Sequence, residues 1–153
     1  MATLSEMLAE HPFVRDLEPR YLHLLKECAV FERYGMEQVI FEEGGAAEHF
    51  YLIHSGLVAL QTFAPGVGMT TVQTLSAGEV LGWSWMVPPY RWHFSALAVE
   101  PVEALAIYAP ELKARMEENH DFGYAILKRM GPVMLERLQS TRMRLLELYG
   151  TSA

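Results

Sequence analysis

The chain has 153 residues, of which 51% are hydrophobic, and it carries 12 Lys and Arg against 19 Asp and Glu for a formal net charge of −7. This length and apolar content predict one domain over residues 1–153 with a sizeable core, and they exclude a disordered chain. The acidic balance gives no general attraction for phosphate backbones or anionic lipids. We therefore expect neither nucleic acid nor a membrane as a partner.

Cysteine content and the N-terminal sequence predict the compartment. Cys28 is the only cysteine, which excludes an internal disulfide and a cysteine metal cage and fits a reducing environment. The N-terminus shows neither a basic region nor an apolar core of a signal peptide. The uncharged stretch 49–78 is too rich in Gly, Pro and Thr for a membrane helix. These features predict a cytoplasmic protein.

The chain is predicted to form three zones: helices over 1–30, strands over 34–108 and helices over 110–149. Leu4, Met7 and Leu8 share one helix face, and Glu18-Pro19 begins a second helix. The middle zone is rich in Val, Ile, Thr and aromatic residues between glycines, and it contains a predicted hairpin (57–63 with 69–75) and a further pair of strands (94–100 and 102–108). The fold class is therefore α+β, a β-barrel or sandwich flanked by helices at both ends.

The segment 78–96 carries the chemistry. It holds a carboxylate, a guanidinium, serine hydroxyls and three indoles between strands. The fork of Arg91 suits a phosphate, and backbone N–H groups near Gly82 and Ser84 add donors. Glu79 can accept hydrogen bonds from a sugar hydroxyl, so the set suits a phosphorylated sugar. The alternative is an ordinary ion pair of Glu79 with Arg91 beneath an aromatic cluster.

The order of motifs along the chain resembles the cyclic nucleotide-binding domain of the Crp/Fnr type over residues 11–149. The residues that carry the resemblance are Gly35, Gly44, Gly78-Glu79 and the stretch Phe50-Tyr51-Leu52-Ile53-His54-Ser55-Gly56-Leu57-Val58. The resemblance implies a β jelly roll with these glycines at its turns, closed by a long C-terminal helix pair.

The resemblance also implies a ligand and its contacts. The ligand would be cAMP or cGMP, with Glu79, after the site residue Gly78, at the ribose, Arg91 at the cyclic phosphate, and Thr141 (with Ser140 beside it) at the base edge. Trp92 stands where relatives have a small or hydroxyl residue, and 81–85 is bulkier than usual. An indole can stack on a purine. Alternatively, the indoles fill the pocket, leaving a degenerate domain that acts as a protein-interaction scaffold.

Metal and hydrolase chemistry find little support. His49 and His54 are five residues apart on one predicted strand and so face opposite sides, and neither HxH nor HExxH occurs. Ser84, His93 and Glu79 lie close in sequence without a nucleophile elbow. We expect no catalysis, no metal and no cofactor, which disfavours a metal-dependent jelly-roll enzyme.

The C-terminal helix predicts an assembly and a signal. Its seam residues step by three and four, the pattern of helix pairing: Leu135, Leu138, Arg142, Leu145, Tyr149. This predicts a homodimer; the alternative is packing on its own domain. In Crp/Fnr regulators a DNA-reading domain follows, and only 150–153 remain here, so we expect a stand-alone sensor. Gly131-Pro132 predicts a hinge or, alternatively, a static kink.

Overall fold

The computed structural model describes residues 2–150, and it begins with the two predicted helices. Helix α1 spans Leu4–Glu10, where the Thr3 hydroxyl accepts a hydrogen bond from the Glu6 N–H (3.2 Å), and helix α2 spans Pro19–Glu27 with proline in its first turn. A short 3-10 helix, Pro12–Val14, connects them. The two helices predicted from residues 1–30 are confirmed, although the second ends at Glu27.

Two four-stranded antiparallel sheets form the jelly roll within the described residues. The strands are β1 (Ala29–Tyr34), β2 (Val39–Phe41), β3 (His49–Ser55), β4 (Leu57–Ala64), β5 (Gly68–Ser76), β6 (Val80–Leu81), β7 (Ser95–Ala98) and β8 (Val102–Tyr108). One sheet has the order β1-β8-β3-β6 and the other the order β2-β7-β4-β5. The predicted α+β jelly roll is confirmed.

Strand pairing differs from the sequence prediction in two places. Strand β1 begins at Ala29, before the expected boundary at residue 34, because its backbone pairs with β8 from Ala29↔Ile107 to Tyr34↔Val102. The β4–β5 hairpin forms as predicted. The two strands predicted from 94–108 also form, but β7 pairs with β2 and β4 whereas β8 pairs with β1 and β3. The chain therefore changes sheet between them.

Gly56, between β3 and β4, shows why the Ser-Gly step of the sequence motif is needed. Its φ is +100°, and a Cβ there would lie 2.3 Å from the Pro101 carbonyl oxygen. A side chain would therefore meet both backbone strain and a backbone clash.

Two C-terminal helices close the fold: α3 (Ala109–Glu118) and α4 (His120–Gly150). Helix α4 runs without a break through Pro132. Before the proline, α4 buries Phe122, Ile126 and Met130 in the core. Between Val133 and Tyr149, Arg137 is the one buried residue. The two halves of α4 are thus anchored very differently.

Within residues 2–150, no helix is long and apolar enough to cross a membrane. No three His, Cys, Asp or Glu side chains of the same residues gather as a metal site. Burial raises the pKa of the Cys28 thiol to about 11, so the thiol is protonated at neutral pH.

Candidate functional site

Glu79 fastens a turn. Its Oε2 accepts a hydrogen bond from the backbone N–H of Ser76 at 2.7 Å, and its own N–H donates to the Ser76 carbonyl at 3.1 Å. Gly78 sits in this turn with a φ of +88°. The carboxylate therefore closes the β5–β6 connection.

Arg91 fastens a different loop. Its Nη1 donates to the Gly44 carbonyl at 2.9 Å, and its backbone forms an isolated bridge with Ala46. The side chain is exposed. Arg91 thus ties the segment after the two prolines to the β2–β3 loop.

The structure does not bring Glu79 and Arg91 together. Glu79 lines a cavity of about 660 Å³ between the N-terminal helices and α4, whereas Arg91 does not line it. The Glu79 carboxylate contacts Ser76 and Glu136, and the Arg91 guanidinium contacts Gly44, so the ion pair considered as an alternative does not form. Their assignment as ribose and phosphate contacts stays a prediction.

The Trp92 indole fills the interior of the jelly roll, and Gly82 lies against its ring. Trp92 is 6% exposed and stacks on Phe41, with ring centroids 3.7 Å apart and planes 11° apart. Gly82 has a φ of +102°, and a Cβ there would lie 2.9 Å from the Trp92 ring. The space left beside these rings is about 20 Å³, close to the volume needed for a single water. The indole thus occupies the barrel interior.

Ser84 is also buried, at 2% exposure. Its Oγ lies 2.9 Å from Nδ1 of His93, and the His93 ring stacks on Trp83 with centroids 4.8 Å apart. The hydroxyl is therefore engaged within the 82–95 loop.

A mostly apolar concavity lies between the second half of α4 and the sheet of β4 and β5. We call it the α4 groove. Its volume is about 630 Å³, within the range of small-molecule sites. Its lining residues are Leu60, Val72, Gln73, Trp83, Phe94, Met134, Leu135, Arg137, Leu138, Thr141, Arg144, Leu145 and Leu148. Thr141, predicted as a base contact, lines this groove, and its hydroxyl donates to the Arg137 carbonyl at 3.0 Å.

Arg137 is the functional candidate that the sequence analysis missed. It is 8% exposed, lines both the α4 groove and the small interior space, and donates from Nη2 to the Val80 carbonyl. Desolvation lowers the pKa of Arg137, opposed by the charges of Glu136 and Glu79. The sequence analysis assigned Leu138 to the helix seam and gave its neighbour Arg137 no role, and no sequence pattern marked Arg137 as buried.

On the other side of α4, Glu136 faces the cavity that Glu79 lines. Desolvation, followed by a hydrogen bond and charge repulsion from the Glu79 carboxylate, raises the pKa of Glu136. Glu136 thus faces the β5–β6 turn, and the next residue, Arg137, lines the α4 groove.

Comparisons with known proteins agree with this fold. The family model described as "Cyclic nucleotide-binding domain" matches residues 31–119. A Geobacter metallireducens GS-15 protein named as a candidate cyclic nucleotide-binding protein is similar over 90% of this chain and 99% of its own, with 25% identity and a TM-score of 0.77.

Two further structures share the fold. A cyclic nucleotide-binding domain from Methylobacillus flagellatus KT is 18% identical, with 94% of this chain and 81% of that chain covered and a TM-score of 0.80. The Thermus thermophilus Catabolite Activator Protein is 24% identical, with 90% and 63% covered and a TM-score of 0.71. No curated protein matches the sequence.

Proposed function

The chain belongs to the cyclic nucleotide-binding domain family, and on that premise we propose that it is a regulatory sensor whose small-molecule ligand binds in the α4 groove and whose signal leaves through α4. The family makes cAMP and cGMP the first ligands to test. The Geobacter protein and the Methylobacillus domain are both described by the same binding activity.

The observation that carries this proposal is the position of Arg137. Its guanidinium lies at the groove while holding the carbonyl of Val80, on the strand that leads into the 82–95 loop. An anion in the groove either competes with the Val80 carbonyl for the N–H donors of Arg137 or binds the donors that Val80 leaves free. A ligand therefore changes how α4 is attached to the jelly roll, which is the requirement for a signal.

The experiment is a ligand titration followed by two techniques. Cyclic nucleotides are added up to millimolar concentration while thermal unfolding and amide hydrogen exchange of residues 133–149 are measured. A ligand at 100 times its Kd adds about 2.7 kcal/mol to the free energy of unfolding. If the ligand lies in the α4 groove, Arg137→Gln should weaken binding by tenfold or more and Arg91→Gln should not; if the predicted phosphate contact is right, Arg91→Gln should weaken it more. The reverse order of the two variants would return the site to Arg91 and Glu79.

A second candidate function is a protein-interaction scaffold without nucleotide binding. The specific observation in its favour is the filled interior, where Trp92 stacks on Phe41 and leaves about 20 Å³. If the domain is such a scaffold, no cyclic nucleotide in the titration should slow amide hydrogen exchange in α4.

As the alternative to a groove ligand, we propose a homodimer through α4, because a partner helix and a ligand would contact the same leucines. The seam residues Leu135, Leu138 and Leu145 are 54%, 66% and 52% exposed, and apolar side chains at this spacing favour helix pairing. Sedimentation at tens of micromolar should give a dimer, and Leu138→Glu should give a monomer. The matched change Leu127→Glu, at a 51% exposed position before Pro132, should leave the dimer intact. A monomeric wild-type protein would reject the assembly.

A non-catalytic role in the cytoplasm remains part of the proposal. Ser84 and His93 are in hydrogen-bond contact, but the serine is buried at 2% exposure. A nucleophile needs access to its substrate.

A further inference from the structure

The α4 groove combines an apolar lining with positive charge. Nine of its thirteen lining residues are apolar, and its two charged residues, Arg137 and Arg144, are both cations. The chain as a whole carries a net charge of −7. A groove of the opposite sign on an acidic protein attracts an anion, and its apolar walls favour a ligand with an apolar body.

Arg137 supplies a defined anchor for that anion. The residue is 8% exposed, and within residues 2–150 the bond to Val80 is the one hydrogen bond that its guanidinium makes. A guanidinium carries five N–H donors, so most of them are left for a ligand. Arg137 takes part in none of the ion pairs among the described residues. The carboxylates of Glu136 and Glu79 act on this buried cation from beyond ion-pair distance, and a bound anion offsets the remaining cost of burying it.

The groove offers little to a sugar. No Asp or Glu lines it, and its neutral polar side chains are Gln73 and Thr141. The Thr141 hydroxyl already donates to the Arg137 carbonyl, and the Glu79 carboxylate holds the Ser76 turn on the other side of α4. Buried hydroxyls without partners cost free energy, so ribose hydroxyls would weaken binding there.

The length of the groove sets the size of the apolar body. Its α4 wall extends from Met134 to Leu148, and at 1.5 Å per residue the distance from Arg137 to Leu148 is about 16 Å. Trp83 and Phe94 line the groove and, together with Arg137, the small interior space. A medium-length acyl chain fits along the α4 wall.

Building on the proposed function, which it requires, we propose that the ligand of the α4 groove is an organic monocarboxylate with an extended apolar body. Its carboxylate pairs with Arg137, and its apolar body lies along Leu138 and Leu145. The ligand class thus carries the charge of a cyclic nucleotide but lacks the sugar.

Dodecanoate is the probe, and dodecanol of the same chain length is the uncharged control. Binding is measured by calorimetry on the full chain, and hydrogen exchange of residues 133–149 reports whether each probe occupies the groove. We expect dodecanoate to bind at least tenfold more tightly than dodecanol, cAMP or cGMP, and to slow exchange in 133–149. Arg137→Gln should abolish the preference for dodecanoate over dodecanol, and Arg144→Gln should reduce it less.

Each outcome decides between the two proposals. Tighter binding of cAMP or cGMP, with slowed exchange in 133–149, overturns the monocarboxylate and leaves the sensor. Equal binding of dodecanoate and dodecanol also overturns it, because the anchor is then absent. If no probe changes exchange in 133–149, both proposals fail. Should Arg137→Gln not fold, the comparison of dodecanoate with dodecanol on the wild-type protein still decides.

Discussion

Arg137 of α4 donates a hydrogen bond to the backbone carbonyl of Val80, 57 residues earlier in the chain, and so joins the C-terminal helix to strand β6. The bond is buried, and its donor is the one buried side chain of α4 between Val133 and Tyr149. Attaching a helix through a buried charge costs desolvation free energy, which apolar side chains in the same place would not. This cost supports the proposal that Arg137 binds a ligand in the α4 groove.

The first prediction follows from that cost. Arg137→Met keeps most of the side-chain volume while removing the buried charge, so we expect the free energy of unfolding without ligand to rise by about 1 kcal/mol, even though one hydrogen bond is lost. Chemical denaturation measures the change. The exposed Arg144, which donates to the Thr71 carbonyl, provides the control: Arg144→Met should change stability by less than about 0.5 kcal/mol. A loss above 1 kcal/mol for Arg137→Met would make Arg137 a structural residue.

The second prediction concerns the close contact between Gly82 and Trp92. Gly82 and Gly68 have φ values of +102° and +100°, but a Cβ at Gly68 meets nothing within 4 Å, whereas one at Gly82 meets the Trp92 ring. Both alanine variants pay about 1 to 2 kcal/mol of backbone strain. Gly82→Ala should cost about 1 to 3 kcal/mol more, because the ring must move. Near-UV circular dichroism should change in Gly82→Ala and not in Gly68→Ala. Equal losses of stability in the two variants would show that the Trp92 ring moves aside without a cost in free energy.

Much of the fold was accessible from the sequence. Helix signals such as Glu18-Pro19 and the Pro-Gly turn between β4 and β5 are local, and local chemistry fixes them. The start of β1 was missed because its residues form a strand by pairing with β8; its first residue, Ala29, pairs with Ile107, 78 positions away. Sequence patterns carry no direct signal of such long-range pairing.

The candidate site was less accessible than the fold. Segment 78–96 was predicted as the site from its residue types, but residue type alone does not tell which way a side chain points. Glu79 turns to Ser76 and Arg91 to Gly44, while Trp92 enters the core. Arg137 was overlooked because helical periodicity predicts an average environment, whereas its burial depends on where α4 crosses β6.

The third prediction is a pH dependence from Glu136. The pKa of Glu136 is raised above its ordinary value of 4.5 by desolvation and by the nearby Glu79 carboxylate. A carboxyl whose pKa is higher in the folded state contributes stability below its unfolded pKa, and this contribution is lost as the pH rises through the folded pKa. Glu136→Gln should therefore be more stable than the wild type at pH 7, and the difference should shrink as the pH falls towards about 4.5.

Thermal unfolding across this pH range measures the difference between the two proteins. Glu117→Gln, an exposed carboxylate on α3, should follow the wild-type pH profile. A Glu136→Gln profile parallel to that of the wild type would show that the pKa of Glu136 is not raised in the folded protein.

The last prediction concerns the hinge at Gly131-Pro132. Phe122, Ile126 and Met130 fix the first half of α4 in the core, with exposures of 0%, 0% and 1%, whereas Leu135, Leu138 and Leu145 beyond the proline are more than half exposed. Pro132 lacks the N–H of an interior helix bond, and a Cβ at Gly131 meets nothing within 4 Å. Without ligand, amide hydrogens of 133–149 should therefore exchange much faster than those of 122–130, and a groove ligand should slow exchange in 133–149 alone.

Replacing Gly131 and Pro132 by Ala should remove a helix penalty of about 1 kcal/mol and about 3 kcal/mol respectively, and so make exchange in 133–149 slow even without ligand. Pro110→Ala, in the first turn of α3, should leave both segments unchanged. If the double variant still responds to ligand like the wild type, the proline marks a static kink, and the ligand acts on α4 through Arg137 without a hinge.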